Sequence, residues 1–201
     1  SGGHTQSVNA NAFDVFNGTQ SPGRVQWSLT GAHNQHNALV ALLAAEHVGV
    51  SPAQSIEALS QFAGVRRRME VRGTVKGVTV YDDFAHHPTE VSAAIKAARA
   101  VVGDGKLITV FQPHLYSRTR LMAKEFAEAL SASDQVVVLD IYAAREDPEP
   151  GVTGALVSDA FKNQSQVHYV PEWDDVAAVA AKLAGSGDFI MTMGCGDLYR
   201  M

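Results

Sequence analysis

From Gly77 to its last residue this chain alternates short apolar runs with amphipathic stretches, and few folds accommodate that order. Strands are expected at 77–81, Leu107–Phe111, 135–139, 167–170 and 188–193, with helices at Pro88–Val102, 118–130, 154–161 and Trp173–Leu183 between them. Strands that are apolar throughout, rather than on alternate residues, belong to sheets covered on both faces. The pattern therefore predicts an α/β fold, Rossmann-like, with a mainly parallel sheet and helices on both faces. The first of those helices is the most sharply drawn. Val91, Ala94, Ile95, Ala98 and Val102 recur at helical spacing, Pro88 opens the helix, and Gly103 sits where a C-terminal cap belongs. Just ahead, residues 69–73 and 77–81 are expected to pair as a hairpin turning at Val75-Lys76-Gly77.

The N-terminal part reads differently. Residues 1–24 are rich in Gly, Asn, Gln and Ser, with one expected strand at 12–16 followed by the turn Asn17-Gly18, and a partner strand at 25–29. Helices follow at 34–48 and 52–62, the second with Ser51 as N-cap and Pro52 at its first position. The stretch 63–68 is the expected connection, giving a small α+β piece over 1–64 and the α/β part over 65–201.

Composition closes off several classes. A formal charge of −5 gives no general attraction to nucleic acid, so Arg66-Arg67-Arg68 and the pair Arg118, Arg120 read as local anion-binding points. No run of 18 apolar residues exists, so no membrane span is expected. The single cysteine, Cys195, excludes an internal disulfide and fits a reducing, cytoplasmic setting. Ser1-Gly2-Gly3 looks like a cloning remnant rather than a targeting signal.

Chemistry concentrates at Tyr81-Asp82-Asp83-Phe84-Ala85-His86-His87-Pro88-Thr89-Glu90. Two carboxylates and two imidazoles stand at the end of one strand, directly ahead of a helix N-terminus. Open α/β sheets place ligand sites there, and the helix start offers free N–H groups to an anion. The plain alternative is that the aspartates cap the turn and the histidines face solvent. A metal site is a further reading, although ligand spacing on a second element is not evident. Asn34 and Asn37 lie three apart, so both amides can point at one planar ligand, or the residues can simply cap a helix. Arg68 suits a phosphate, because a guanidinium is always charged and binds oxygens in pairs, whereas Arg66 and Arg67 read as a solvated basic turn. Cys195 reads as a small packing residue.

Several segments resemble, in order, those of the Mur ligases, the ATP-dependent ligases of peptidoglycan synthesis that act on UDP-N-acetylmuramate. They are Gly31-Ala32-His33-Asn34-Gln35-His36-Asn37-Ala38, Arg67-Arg68-Met69-Glu70, Asp82-Asp83-Phe84-Ala85-His86-His87-Pro88-Thr89-Glu90, the block 111–119, and Gly194-Cys195-Gly196-Asp197. The resemblance implies that 1–64 is the final portion of a central ATP-binding domain and 65–201 the C-terminal substrate-binding domain. It also implies ADP-forming amide synthesis through an acyl phosphate. His33, Asn34 and Asn37 would contact adenine, Asp83 the ribose hydroxyls, and Arg68 the γ-phosphate. His86 would line the acceptor site, with His87 holding its loop, while His114 and Tyr116 would shape the loop of Arg118. Arg118 would grip the acceptor carboxylate. Arg68 and His86 would be the catalytic pair.

Mg²⁺ would be bound mainly by a part of the family's central domain not found here, and no metal ligands are assigned in this chain. No Gly-x-x-x-x-Gly-Lys-Ser/Thr phosphate loop occurs, so the resemblance implies a ligase fragment inactive toward ATP on its own. The block 111–119 favours L-alanine as acceptor. Leu115 departs from members with Arg at that position, and Phe84 leans toward ligases that attach the murein tripeptide L-Ala-γ-D-Glu-meso-diaminopimelate in cell-wall recycling. A non-catalytic α/β ligand-binding module is the reading outside enzymes.

Overall fold

In a computed structural model, described for residues 3–9, 11–17, 19–27, 29 and 32–201 and for the backbone alone at His33, all the apolar runs after Lys106 join one sheet. The chain divides into two compact units, Ser1–Val65 and Arg66–Met201.

The first unit carries an antiparallel sheet in the order β1 (Gly3–Asn9), β2 (Ala12–Asn17), β3 (Gln20–Gln26), followed by helices α1 (Ala32–His47) and α2 (Pro52–Gln61). Its core is Phe13, Val15, Val25, Trp27, Ala38, Leu42 and Ile56. The start of α2 follows the sequence: the Ser51 hydroxyl accepts from the Gln54 N–H and the Gln54 side chain accepts from the Ser51 N–H, with Pro52 next. The sheet differs from expectation. Gly3–Asn9 is polar and shows no apolar alternation, so its pairing with β2 left no signal. The last strand ends at Gln26, earlier than 25–29, and includes Pro22, which an edge strand tolerates.

The second unit contains β4 (Glu70–Val75), β5 (Val78–Asp83), α3 (Pro88–Val102), β6 (Leu107–Phe111), α4 (Tyr116–Leu130), β7 (Gln135–Val138), α5 (Ala155–Asp159), β8 (Val167–Tyr169), α6 (Trp173–Leu183) and β9 (Phe189–Met193). The strand order is β4-β5-β9-β6-β7-β8, and β4 is the antiparallel member. The sheet is thus the mainly parallel, doubly covered one that the sequence predicts. Leu107 and Phe111 of β6 join Ile95, Phe126, Leu130 and Val157 on the α3–α4–α5 side. Val110 joins Val176 and Ala180 of α6 on the other.

One feature of the order matters most for chemistry. β9, the last strand in sequence, inserts between β5 and β6, so that Met193 stands level with Asp83 on one side and Phe111 on the other. Three carboxyl ends therefore open at one height. The hairpin turns more tightly than expected, at Lys76 and Gly77, both with positive φ (50° and 82°), as a two-residue turn between twisted strands demands. α4 begins at Tyr116 rather than 118 and bends at Met122 (φ −126°). Phe126, fully buried and 5.1 Å from the Phe111 ring, anchors the straight part of α4. Phe126→Ala should lower the stability of this unit by about 3–5 kcal/mol in urea denaturation; a loss below about 1 kcal/mol would mean that α4 repacks freely.

Candidate functional site

The end of β5 splits its two aspartates between two tasks. Asp82 is fully buried. Its carboxylate accepts from the Thr192 hydroxyl at 2.7 Å and from Arg67 Nε at 2.8 Å. Arg67 also donates through Nη2 to the Gly194 carbonyl at 2.6 Å, and its guanidinium lies between the Phe84 and Tyr199 rings, 5.0 and 4.8 Å from their centroids. The backbone is recruited too: Arg67 has φ 59°, its N–H donates to Glu70 Oε2 and its carbonyl accepts from the Phe84 N–H. The expectation that Arg67 belongs to a solvated basic turn is therefore wrong; a buried carboxylate needs a cation, and the left-handed turn aims this one inward. Arg66 is exposed.

Asp83 is 3% exposed, and its two oxygens accept from the Met69 and Ala85 N–H groups, both at 2.9 Å. Burial pushes its pKa up, against the lowering effect of those N–H bonds and of the Arg68 charge. As folded, this carboxylate is committed to shaping the loop.

The loop residues converge on α4. His86 Nδ1 lies 2.9 Å from the Phe84 carbonyl oxygen, which can only accept, so Nδ1 carries a proton, and in the neutral ring Nε2 is then the acceptor. Arg118, in the first turn of α4, donates through Nη1 to the His86 carbonyl at 3.0 Å and approaches His114 Nδ1 at 3.4 Å. The His114 ring stands 5.4 Å from that of His86 and 6.0 Å from that of Tyr142. Burial, then the charges of Arg118, His86 and Arg145, hold the His114 pKa below the ordinary imidazole value, so it is neutral at pH 7. Arg118 is half-buried and has further N–H groups for an anion. His87 is the N-cap of α3, its Nδ1 accepting from the Thr89 N–H at 3.4 Å.

Arg68 is exposed and has no hydrogen-bond partner among the described residues. Its charge reaches Asp83 and Glu90. In the first unit, Asn34 and Asn37 lie near the start of α1, half-buried and exposed respectively, while the His33 side chain lies outside the described residues. Gln35 between them is buried and bonded to Ser7. Cys195 is half-buried and burial pushes its thiol pKa up, which suits packing rather than nucleophilic chemistry. Among the described residues no three His, Cys, Asp or Glu side chains gather as metal ligands.

Sequence reasoning missed Arg67, Tyr142 and Glu146, whose carboxylate accepts from Ser117 in α4. Only Arg67 stood in a segment already singled out; the loop of Tyr142 and Glu146 carries no motif.

The chain is similar to known proteins along most of its length. The family model for Mur ligase, glutamate ligase domain, matches residues 67–196. A UDP-N-acetylmuramate–L-alanine ligase of Clavibacter michiganensis subsp. michiganensis is 51% identical over 179 residues, covering 89% of this chain and 38% of that protein. One of Mycolicibacterium smegmatis is 50% identical over 195 residues, covering 96% and 40%. Among solved structures, the UDP-N-acetylmuramate-alanine ligase MurC of Thermotoga maritima superposes with a TM-score of 0.75 at 25% identity, over 95% of this chain and 41% of its own. The murein peptide ligase mpl of Psychrobacter arcticus gives 0.72 at 29%, over 96% and 41%. The chain thus spans about two fifths of the length of these relatives.

Arg67→Ala should cost about 3–5 kcal/mol in urea denaturation, because it strands the Asp82 carboxylate in the interior. Adding Asp82→Asn should recover part of that loss. Equal stability of single and double variants would show that the ion pair is not what holds this edge.

Proposed function

This chain belongs to the Mur ligase family, and on that footing we propose that it forms the acceptor-reading part of an ATP-dependent, ADP-forming ligase that joins L-alanine to UDP-N-acetylmuramate. The observation that carries the reading is the cluster of Arg118, His86 and His114 at the carboxyl edge of the sheet. A planar guanidinium with unused N–H groups matches a carboxylate in two bonds. In its neutral form His86, with the Nδ1 proton on the Phe84 carbonyl, offers Nε2 as an acceptor to the ammonium of the same amino acid. Together they orient the amine, and orientation is a principal part of such catalysis.

The other assignments rest on the family. Arg68, exposed and unbonded among the described residues, suits the phosphate oxygens of ATP. Asn34 and Asn37, on one face of α1, suit adenine, with His33 beside them. Asp83 would serve the ribose through the loop it shapes, since both its oxygens already accept main-chain N–H groups. His87 would act by fixing the start of α3. Bound ATP would supply the activation of the muramoyl carboxylate, and Mg²⁺, by the family resemblance, would be held mainly by another part of the central domain. These nucleotide substrates argue for a cytoplasmic enzyme, and no described helix is long and apolar enough to cross a membrane.

A murein tripeptide is the second acceptor considered, supported by the likeness to the Psychrobacter ligase and by Phe84. The relatives at about half identity carry the L-alanine name, and they outweigh it. In a full-length ligase carrying this segment, Arg118→Lys should raise KM for L-alanine about tenfold or more and leave KM for ATP within about twofold. Steady-state ADP formation with each substrate varied in turn decides it. An unchanged alanine KM, or an equal rise for ATP, would show that the carboxylate is bound elsewhere.

A further inference from the structure

We propose that Glu146 is a positioning residue for acceptor binding, capping α4 from a neighbouring loop and so holding Arg118 and His114 in register. The inference rests on the acceptor site described above. A helix start leaves its first N–H groups without intrahelical partners, and a side chain at the N-cap usually takes one. α4 lacks that device: its N-cap is Leu115, a buried residue at φ 71° with no side chain able to accept. Glu146 supplies the acceptor from outside. Its Oε2 accepts from the Ser117 N–H at 2.9 Å and its Oε1 from the Ser117 hydroxyl. Those bonds, the side-chain one foremost, hold its pKa below the usual carboxylate range, so it meets the helix start as an anion.

Two further observations make this cap consequential. The bend at Met122 separates residues 116–121, of which Thr119 alone is buried, from the stretch that carries the buried Phe126, Ala127 and Leu130. The first turns, which include Arg118, are therefore not aimed by core packing alone. The loop that bears Glu146 is itself braced. Asp140 Oδ1 accepts from the Ile141 and Gly154 N–H groups at its base. Main-chain bonds run from Leu115 N to Tyr142 O and from Tyr142 N to Pro113 O, on either side of His114. Arg120 and Glu149 pair at 2.9 Å on the exposed side. A braced loop thus presents one carboxylate to a helical turn whose own N-cap supplies no acceptor.

The test uses Glu146→Ala and Glu146→Gln in the full-length ligase, and Glu146→Ala in the 201-residue chain. Glu146→Ala should raise KM for L-alanine about tenfold, with kcat and KM for ATP within about twofold; Glu146→Gln, which keeps an acceptor for Ser117, should fall between it and wild type. In the chain itself, the Ser117 amide should exchange with solvent faster in Glu146→Ala, while amides beyond the bend, such as that of Phe126, keep their protection. Uniform loss of protection, or an alanine KM equal to wild type, would overturn the proposal. Should Glu146→Ala fail to fold, Glu146→Gln decides by the same criteria. A wild-type enzyme that makes no ADP with L-alanine would instead sink the functional reading, and the Ser117 exchange would still report whether Glu146 caps the helix.

Discussion

A carboxylate without solvent access cannot stand alone inside a protein, and Asp82 is such a group. Arg67 answers it, and the answer organises the carboxyl edge of the sheet. The same guanidinium bonds the Gly194 carbonyl after β9 and lies between a ring of the β5–α3 loop and a ring of the C-terminal segment. Its backbone meanwhile receives the Phe84 N–H. Two stretches far apart in sequence, 82–84 and 194–199, are thereby fixed to one group. The position of Asp83, and through it the Ala85–His86 turn, follows from that arrangement.

Much of the fold could be read from residue order because its signals are local. The apolar spacing from Val91 to Val102, bounded by Pro88 and Gly103, marks α3 with the ends it has in the fold, Pro88 and Val102. Ser51 and Gln54 spell a capping box, and α2 starts there. What could not be read is non-local. Nothing in residues 189–193 says that they slip between β5 and β6, yet that insertion brings the loops after Asp83, Phe111 and Met193 to one edge. Three consecutive arginines look alike in sequence; which one turns inward depends on the left-handed backbone at position 67 and on the buried acid opposite. β1 escaped for the opposite reason, since it is a polar strand held by its neighbour rather than by an apolar face.

The candidate site shows the same division. His86, His114 and Arg118 were named from motifs, and they do meet, at distances from 3.0 to 5.4 Å. Asp83 and His87, from the same motif, instead engage main-chain N–H groups and hold the loop that carries His86. Leu115, where some relatives are expected to carry a second arginine, is buried and turns the chain into α4. The burden of reading an anion at this edge therefore falls on Arg118, and the aim of Arg118 falls on whatever steadies the first turn of its helix.

The most direct measurement is a titration of the chain with L-alanine, followed by NMR through the Arg118 side-chain Nε–H and the imidazole signals of His86 and His114. The account predicts saturable shifts at these three residues, abolished by Arg118→Lys, with the Nε–H resonance of Arg99, which pairs with Asp134 beside the start of β6 at the opposite end of the sheet, unmoved. Shifts confined to Arg99, or none at any alanine concentration, would contradict it.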